Sequence, residues 1–148
     1  MKKKFVSEYD IETSTSFSIS VKKKLLGKKT KYNKIEVYQS ERLGNVLMLN
    51  NCFMFTEKDH HFYHDKCDEL IMKKNNVKNI LIVGGGDFGL VKKFSNWKNI
   101  KSITIVEIDK EVTLVCKKYF PKFFKINHSL IKKIELCYAD GYEWVKKN

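Results

Sequence analysis

The chain has 148 residues, of which 43% are hydrophobic and 13% aromatic, and this composition excludes a disordered segment. The formal net charge of +12 raises the question of a nucleic acid or an anionic membrane as partner. All but one of the 29 basic residues are lysine, Arg42 being the exception, whereas phosphate and base recognition usually draws on the arginine fork. The charge is also spread over every segment, so we expect no nucleic-acid partner.

The cysteines and the N-terminal residues indicate the cellular compartment of the protein. Four cysteines lie far apart without a CxxC pair, which favours reduced thiols over a zinc site or a disulfide framework. The basic start is followed by no apolar run, and no later segment approaches the length of a membrane span. We therefore expect a cytoplasmic protein with no membrane partner.

The first predicted region is a small β module over residues 1–55. Between Thr15 and Phe55, alternating and β-branched or aromatic residues predict several short antiparallel strands, with a turn region at residues 27–33. The strand segments are FSISVKKKLL, KIEVYQS, LGNVLMLNN and CFMF.

The second predicted region, residues 56–148, has an alternating βα pattern. Thr56 is a candidate N-cap for a helix from Glu57 to Lys74. Three apolar β-like runs then alternate with helical segments, which predicts a parallel sheet with helices on its faces. The runs are 78–83, 102–107 and 133–139, and the helical segments are 87–97, 110–120 ended by Pro121, and one beginning at Gly141.

Three parallel strands make a marginal sheet that leaves an apolar strand on its edge. We therefore expect this region to be the first half of a larger Rossmann-like domain. A short but complete α/β protein is the alternative.

A glycine turn follows the first apolar run and opens a helix. Its sequence, Gly84-Gly85-Gly86-Asp87-Phe88-Gly89, has the GxGxxG spacing in the strand-to-helix context that nucleotide folds require. A purely structural turn is the alternative. Asp87 would repel a pyrophosphate at the helix N-terminus, so the turn favours a cationic adenosyl sulfonium compound over a dinucleotide.

Two further acidic residues follow the next strands. Glu107 ends the second run, where a carboxylate can accept hydrogen bonds from both ribose hydroxyls of a nucleoside. Asp140 and Gly141 follow the third run, where a carboxylate can accept from an adenine amino group. Because ligands of open α/β sheets bind outside the carboxyl ends of the strands, we expect these tips to converge on one crevice.

Residues 34–141 resemble the spermidine synthase family of polyamine aminopropyltransferases. The resemblance is carried in order by IEVYQSERLGNVLMLNN, TEKDHHFYHD, ILIVGGGDFG, ITIVEIDKEV with KKYFP, and ADG. The TEKDHHFYH segment separates this family from the many methyltransferases that share the glycine turn and the acidic strand end. The fold class implied is α/β, with an N-terminal antiparallel module and an incomplete, methyltransferase-type Rossmann-like sheet.

The resemblance also implies a reaction and its partners. The family transfers the aminopropyl group of decarboxylated S-adenosylmethionine to putrescine, which gives spermidine and methylthioadenosine. That nucleoside is a co-substrate, and no cofactor is expected. The full family enzyme is expected to be a homodimer or homotetramer.

Most site residues follow from the resemblance. Glu107 would bind the ribose, Asp140 with Gly141 the adenine, and Asp87 the aminopropyl ammonium. The turn that surrounds them would be the glycine loop of Gly84, Gly85, Gly86 and Gly89.

Other positions match the family less closely. Tyr63 and His64 match a Tyr-His pair that would line the polyamine and thioether region. Asn33 falls where a glutamine usually contacts the nucleoside, Met54 replaces a typical glutamine, and Phe88 replaces a glycine after the loop aspartate. Each of these three departures is expected to weaken or reshape the pocket.

The general base of the family lies on an Asp-x-x-Asp-Pro loop, which does not occur in this sequence. We therefore assign no catalytic residue and expect the chain to be truncated and inactive alone. Alternatives are a non-catalytic remnant or partner subunit that binds nucleoside or polyamine, and an S-adenosylmethionine-dependent methyltransferase. His60, His61 and His64 suggest no metal site, because no HExxH pattern and no third ligand accompany them.

Overall fold

A computed structural model describes residues 3–74 and 76–148, with the side chain of Met72 excepted. The chain forms two compact units, Met1–His60 and His61–Asn148, whereas the sequence placed the boundary after residue 55. Met1 and Lys2, which belong to the predicted first domain, lie outside the described residues.

Unit 1 is a five-stranded antiparallel sheet whose strands are hydrogen-bonded in chain order, which confirms the predicted module. The strands are β1 (Lys4–Asp10), β2 (Thr15–Lys29), β3 (Lys34–Ser40), β4 (Asn45–Leu49) and β5 (Cys52–Thr56).

Two features of this sheet differ from the sequence prediction. Strand β1 was not predicted, and it pairs with the first half of β2 from Lys4 with Val21 to Asp10 with Thr15. Strand β2 also continues through Gly27 into the predicted turn region, with two irregularities in its pairing to β3. Such bulges bend a long strand and increase its twist.

A carboxylate is buried in unit 1. Glu36 is only 4% exposed, and it forms an ion pair with Lys24 and a second with Lys34 Nζ at 2.8 Å. The Tyr38 hydroxyl also donates to Glu36 Oε1 at 3.0 Å. Burial raises the pKa of Glu36, but these hydrogen bonds and the lysine charges outweigh it and hold the pKa below its usual value.

Unit 2 contains a parallel sheet with the order β6-β7-β8, as the alternation predicted. Strand β7 lies in the middle and pairs in parallel with both neighbours. The elements in chain order are α1 (His60–Met72), β6 (Asn79–Val83), α2 (Gly89–Phe94), β7 (Ser102–Glu107), α3 (Lys110–Tyr119), a 3-10 helix (Pro121–Phe124), α4 (His128–Ile131), β8 (Ile134–Tyr138) and α5 (Gly141–Lys147).

The helix bounds differ most from the predicted ones at the start of α1 and the end of α2. Helix α1 begins at His60 and not at Glu57, because Thr56 and Asp59 bond to each other in a separate turn. Helix α2 ends at Phe94 and not at residue 97. Trp97 instead makes an edge-to-face contact with Phe94 at 5.7 Å between ring centroids.

The core of unit 2 explains how the sheet is held. Apolar side chains of all three parallel strands and of helix α2 pack together, and burial of such residues is the main stabilising term of a small domain. The fully or nearly buried members are Ile80, Ile82, Val91, Phe94, Ile100, Ile103, Ile105 and Leu130.

Among the described residues, every helix is too short or too polar to cross a bilayer.

Candidate functional site

The glycine loop connects β6 to α2. Its first residue, Gly84, donates its N–H to the Val106 carbonyl of β7 at 2.8 Å, and Phe88 N–H donates to the Gly85 carbonyl at 3.0 Å. Gly84 and Gly85 have φ of 81° and 75°, a region that side-chain-bearing residues adopt rarely. The loop is therefore a tight turn at the carboxyl end of the sheet.

Glu107, the last residue of β7, holds this loop in place. It is 7% exposed, and its two carboxylate oxygens accept separate hydrogen bonds. Oε2 accepts from Gly86 N–H at 3.0 Å, and Oε1 accepts from Asp109 N–H at 2.9 Å. A Cβ at Gly86 would lie 2.8 Å from Glu107 Oε2 and 2.7 Å from Thr113 Oγ1, so this close approach requires glycine.

Asp87 lies in the same loop and bonds to the start of α2. Its Oδ1 accepts from Gly89 N–H at 2.6 Å, which is the amide position that binds a phosphate in many nucleotide folds. A carboxylate already occupies that amide. A phosphate at this amide would meet the negative charge of Asp87.

Asp87 and Glu107 lie at the same turn. Asp87 directly follows Gly86, whose N–H donates to Glu107 Oε2 at 3.0 Å. Cys116 on α3 is buried, and burial raises the pKa of its thiol, with the charges of Asp87 and Glu107 acting in the same direction.

The third strand end reaches the same edge of the sheet. Ala139 N–H donates to the Glu107 carbonyl at 3.1 Å, and a Cβ at Gly141 would overlap the Val83 side chain of β6. Asp140 is exposed and caps α5, since its Oδ1 accepts from Glu143 N–H at 3.1 Å. Asp140 and Gly141 therefore lie beside the ends of β6 and β7.

His64 on α1 is buried beside the loop. Its side chain lies against the backbone of Gly89, and its Nε2 is 3.8 Å from Asp87 Oδ1. The pKa of His64 is lowered to about 4, mainly by burial. The charge of Lys93 also lowers this pKa, and the charge of Asp65 raises it. The ring is uncharged at neutral pH, and 3.8 Å is too long for a hydrogen bond, so this approach is not an ion pair.

Tyr63 is 68% exposed and precedes His64 on α1. The pKa of its phenol is raised, first by a hydrogen bond to Cys67, and the charge of Asp87 contributes to the same shift. The Tyr63 ring makes an edge contact with His64 at 5.6 Å between ring centroids.

Asn33 and Met54 belong to unit 1. Asn33 Oδ1 accepts from Asn50 Nδ2 at 2.9 Å, and Met54 is 52% exposed on β5. The role expected of Asn33 in nucleoside binding stays a prediction.

Phe88 adopts an unusual backbone conformation. Its φ is 66° and its ψ 10°, in the left-handed region that costs a bulky residue about 1–2 kcal/mol. Its ring stacks on Phe124 with centroids 4.6 Å apart. The departure from glycine at this position is therefore accommodated by an aromatic contact.

Sequence reasoning missed several residues that shape the site. Asp109 bonds Glu107 through its N–H and caps α3 through its side chain. An acidic residue directly before a helical pattern is an N-cap signal that identifies it. Thr113 and Phe124 gave no comparable signal, because their contacts with the loop depend on the tertiary fold.

Across residues 3–74 and 76–148, no three His, Cys, Asp or Glu side chains are grouped as ligands of one ion. That the site binds no metal stays a prediction.

The comparison with protein families matches both units. Residues 60–148 match the model of the spermine/spermidine synthase domain, and residues 5–57 match that of the spermidine synthase tetramerisation domain. The chain belongs to the spermine/spermidine synthase family.

Individual members of this family align over most of the chain. The polyamine aminopropyltransferase of Thioalkalivibrio sulfidiphilus is 33% identical over 138 residues, covering 93% of this chain and 48% of the relative. That of Clostridium botulinum (strain Eklund 17B / Type B) is 36% identical over 132 residues, covering 88% of this chain and 45% of the relative. This member of the spermine/spermidine synthase family thus spans about half the length of the curated relatives it matches.

Solved structures confirm the fold. Spermidine synthase from Thermotoga maritima has a TM-score of 0.87 at 24% identity, covering 97% of this chain and 50% of that one. A spermidine synthase in complex with the transition state analogue AdoDATO has a TM-score of 0.88 at 24% identity, covering 97% of this chain and 49% of that one. The fold predicted from the sequence is that of the spermine/spermidine synthase family.

Proposed function

We propose that this chain supplies the nucleoside-binding part of a polyamine aminopropyltransferase. The reaction transfers the aminopropyl group of decarboxylated S-adenosylmethionine to putrescine and releases spermidine and methylthioadenosine. The observation that carries this proposal is the pair of neighbouring carboxylates, Asp87 and Glu107, at a glycine loop that bonds to both.

The charge of the site supports a cationic nucleoside. Decarboxylated S-adenosylmethionine carries a positive sulfonium and an ammonium, whereas a dinucleotide carries phosphates at the equivalent place. The Asp87 carboxylate at the start of α2 attracts the former and repels the latter. In a chain of net charge +12, this acidic strand edge also concentrates the attraction for a cation in one place.

The individual contacts follow from the three strand ends. Glu107 would accept from the ribose hydroxyls, and Asp140 with Gly141 would bind the adenine. Asp87 would hold the aminopropyl ammonium. Tyr63 and His64 would line the polyamine and thioether region, and an uncharged His64 does so without repelling a cation.

The chemistry needs alignment and removal of a proton. The putrescine nitrogen attacks the propyl carbon next to sulfur as the carbon–sulfur bond breaks, and methylthioadenosine leaves with the bonding electrons. Taking the amine pKa as about 10.4, presenting it neutral at pH 7 costs roughly 4 to 5 kcal/mol, so a carboxylate base is needed.

No residue of these 148 is assigned as that base. Asp87, Glu107 and Asp140 are committed to ligand contacts in this proposal. We therefore expect the chain by itself to bind the nucleoside without measurable turnover, and spermidine formation by the purified chain would contradict this.

Partners and location belong to the same proposal. The sulfonium is already an activated leaving group, so the reaction as proposed requires no cofactor. We propose that unit 1 mediates a homodimer or homotetramer, supported by the tetramerisation-domain match and by exposed apolar side chains on β1, β2 and their connection. These are Phe5, Tyr9, Ile11 and Phe17. All four cysteines are free thiols, which fits a cytoplasmic location.

The proposal is tested by calorimetric titration of the chain with decarboxylated S-adenosylmethionine, methylthioadenosine and S-adenosylhomocysteine. We expect the first two to bind more tightly than the third, because the carboxylate of S-adenosylhomocysteine would meet Asp87. Tighter binding of S-adenosylhomocysteine would instead identify a methyltransferase site.

A further inference from the structure

Phe88 occupies the centre of the acidic loop in a conformation that a phenylalanine rarely adopts. Its φ of 66° lies in the left-handed region, where glycine is the usual residue. The ring stacks on Phe124 with an interplanar angle of 29° and packs against the core of unit 2. Aromatic stacking and burial therefore hold a backbone conformation that is locally unfavourable.

The backbone of Phe88 fixes the position of Asp87. Its N–H donates to the Gly85 carbonyl at 3.0 Å, and its carbonyl accepts from Lys92 N–H at 3.0 Å in the first turn of α2. The bond from Gly89 N–H to Asp87 Oδ1 spans Phe88. Rotation of Phe88 to a negative φ would change the direction of both peptide groups, so the Asp87 carboxylate would lose its anchored position.

The 3-10 helix Pro121–Phe124 supports the loop at a second point. Phe123, next to Phe124, is buried and makes an edge contact with His64 at 6.2 Å between ring centroids. His64 in turn lies against Gly89. Consecutive phenylalanines of one short helix thus support the two residues that follow Asp87, Phe88 directly and Gly89 through His64.

We propose that the stacked pair of Phe88 and Phe124, the aromatic brace, is a positioning device that holds the Asp87 carboxylate where it meets a ligand ammonium. This inference rests on the proposed function. It adds that Phe124, which lies outside the ligand contacts assigned above, sets the preference for a positively charged nucleoside through Asp87.

The test compares Phe124→Leu with Trp97→Leu in the full 148-residue chain. Trp97 is a matched control, because it is also an aromatic ring at the edge of the unit 2 core and it contacts Phe94 away from the loop. The readout is hydrogen exchange of the Gly89 amide by NMR, relative to the amides of β7. Exchange requires the bond to Asp87 to open, so it reports the anchor without any ligand.

We expect Phe124→Leu to accelerate Gly89 exchange about tenfold relative to β7, while Trp97→Leu leaves this ratio unchanged. We also expect the preference for decarboxylated S-adenosylmethionine over methylthioadenosine to fall about 3- to 10-fold in Phe124→Leu only, because a displaced carboxylate makes a weaker charge-assisted bond. In an Asp87→Asn background, Phe124→Leu should cause no further loss of preference.

Phe88→Ala provides a second variant in case Phe124→Leu does not fold. Alanine lacks the ring that stacks on Phe124 and keeps the Cβ that disfavours a φ of 66°, so this variant should lose the protected Gly89 amide and the ligand preference. An unchanged Gly89 exchange ratio in the folded variant would overturn the brace. If the wild-type chain shows no preference for the charged ligand while the exchange result holds, the proposed function fails and the brace stands.

Discussion

Two buried glutamates, one in each unit, show how the same side chain serves different purposes. Glu36 in unit 1 is 4% exposed and Glu107 in unit 2 is 7% exposed. Glu36 is held by ion pairs with Lys24 and Lys34 and by the Tyr38 hydroxyl. Glu107 accepts from two backbone N–H groups, and within the described part of the chain it forms no ion pair with a lysine or arginine.

The difference concerns what compensates a buried negative charge. Glu36 is neutralised by cations of its own unit, so its interactions are complete without a ligand. Glu107 is oriented by amides and, among the described residues, is paired with no lysine or arginine, and Asp87 lies in the loop that Glu107 bonds. A buried carboxylate that is held by backbone N–H groups and not by cations is suited to a ligand that brings hydrogen-bond donors and positive charge.

The largest expected effect separates the two glutamates by function. We expect Glu107→Gln to weaken binding of methylthioadenosine about 100-fold, since the amide replaces a charged acceptor of the ribose hydroxyls by a weaker one and a donor. Calorimetric titration measures this loss.

Glu36→Gln is the matched control for this comparison. It should lower the free energy of unfolding by about 2 kcal/mol while changing nucleoside affinity less than about twofold. If Glu36→Gln weakened binding as much as Glu107→Gln, the distinction between the two carboxylates would be wrong.

The next effect concerns His64. Glu36 is paired with charged lysines, whereas His64 lies beside Asp87 as an uncharged ring. Its pKa is lowered to about 4 in the folded chain, so the unfolded chain, with a pKa of about 6.5, binds the proton more tightly. Stability from this group is therefore complete above pH 6.5 and lost as the pH falls toward 4. Between pH 7.5 and 5.5 we expect it to account for a loss of about 1.4 kcal/mol.

Urea unfolding followed by tryptophan fluorescence measures this loss, because both tryptophans, Trp97 and Trp144, belong to unit 2. The His64→Gln variant should lack the His64 contribution. An equal pH dependence in the variant would contradict this, because it would show that the pKa of His64 is the same in the folded and the unfolded chain.

The smallest effect concerns Asp140, which both caps α5 and is proposed to bind adenine. Serine is also a good N-cap, so Asp140→Ser should keep the thermal stability while weakening methylthioadenosine binding about fivefold through the loss of one charged acceptor. The variant should also lose discrimination against methylthioinosine, which lacks the adenine amino group. Asp140→Ala, as the comparison, should lose both stability and affinity.

The parts of the molecule that sequence predicted are those with a local signal. The apolar runs that became β6, β7 and β8 were identified from their composition and spacing, and Pro121 marked the end of α3 correctly. The glycine loop and the acid at the end of β7 were also identified, because a strand-to-helix turn and a strand end are local features.

The parts that sequence did not predict depend on distant contacts. Strand β1 has the sequence KFVSEYD, whose charged residues and partial burial give no clear alternation, and it is defined by its pairing with β2. The left-handed Phe88 depends on Phe124, which lies far along the chain. Cys116 beneath the two carboxylates likewise required the tertiary fold.

The central claim is that Asp87 selects a positively charged adenosine derivative, and the Asp87→Asn variant tests it most directly. The measurement is the ratio of dissociation constants for methylthioadenosine and decarboxylated S-adenosylmethionine, in the wild-type chain and in the variant. We predict that the wild-type chain prefers the charged ligand by about tenfold or more, and that the variant binds the two within about twofold. A preference that survives in Asp87→Asn would contradict the account.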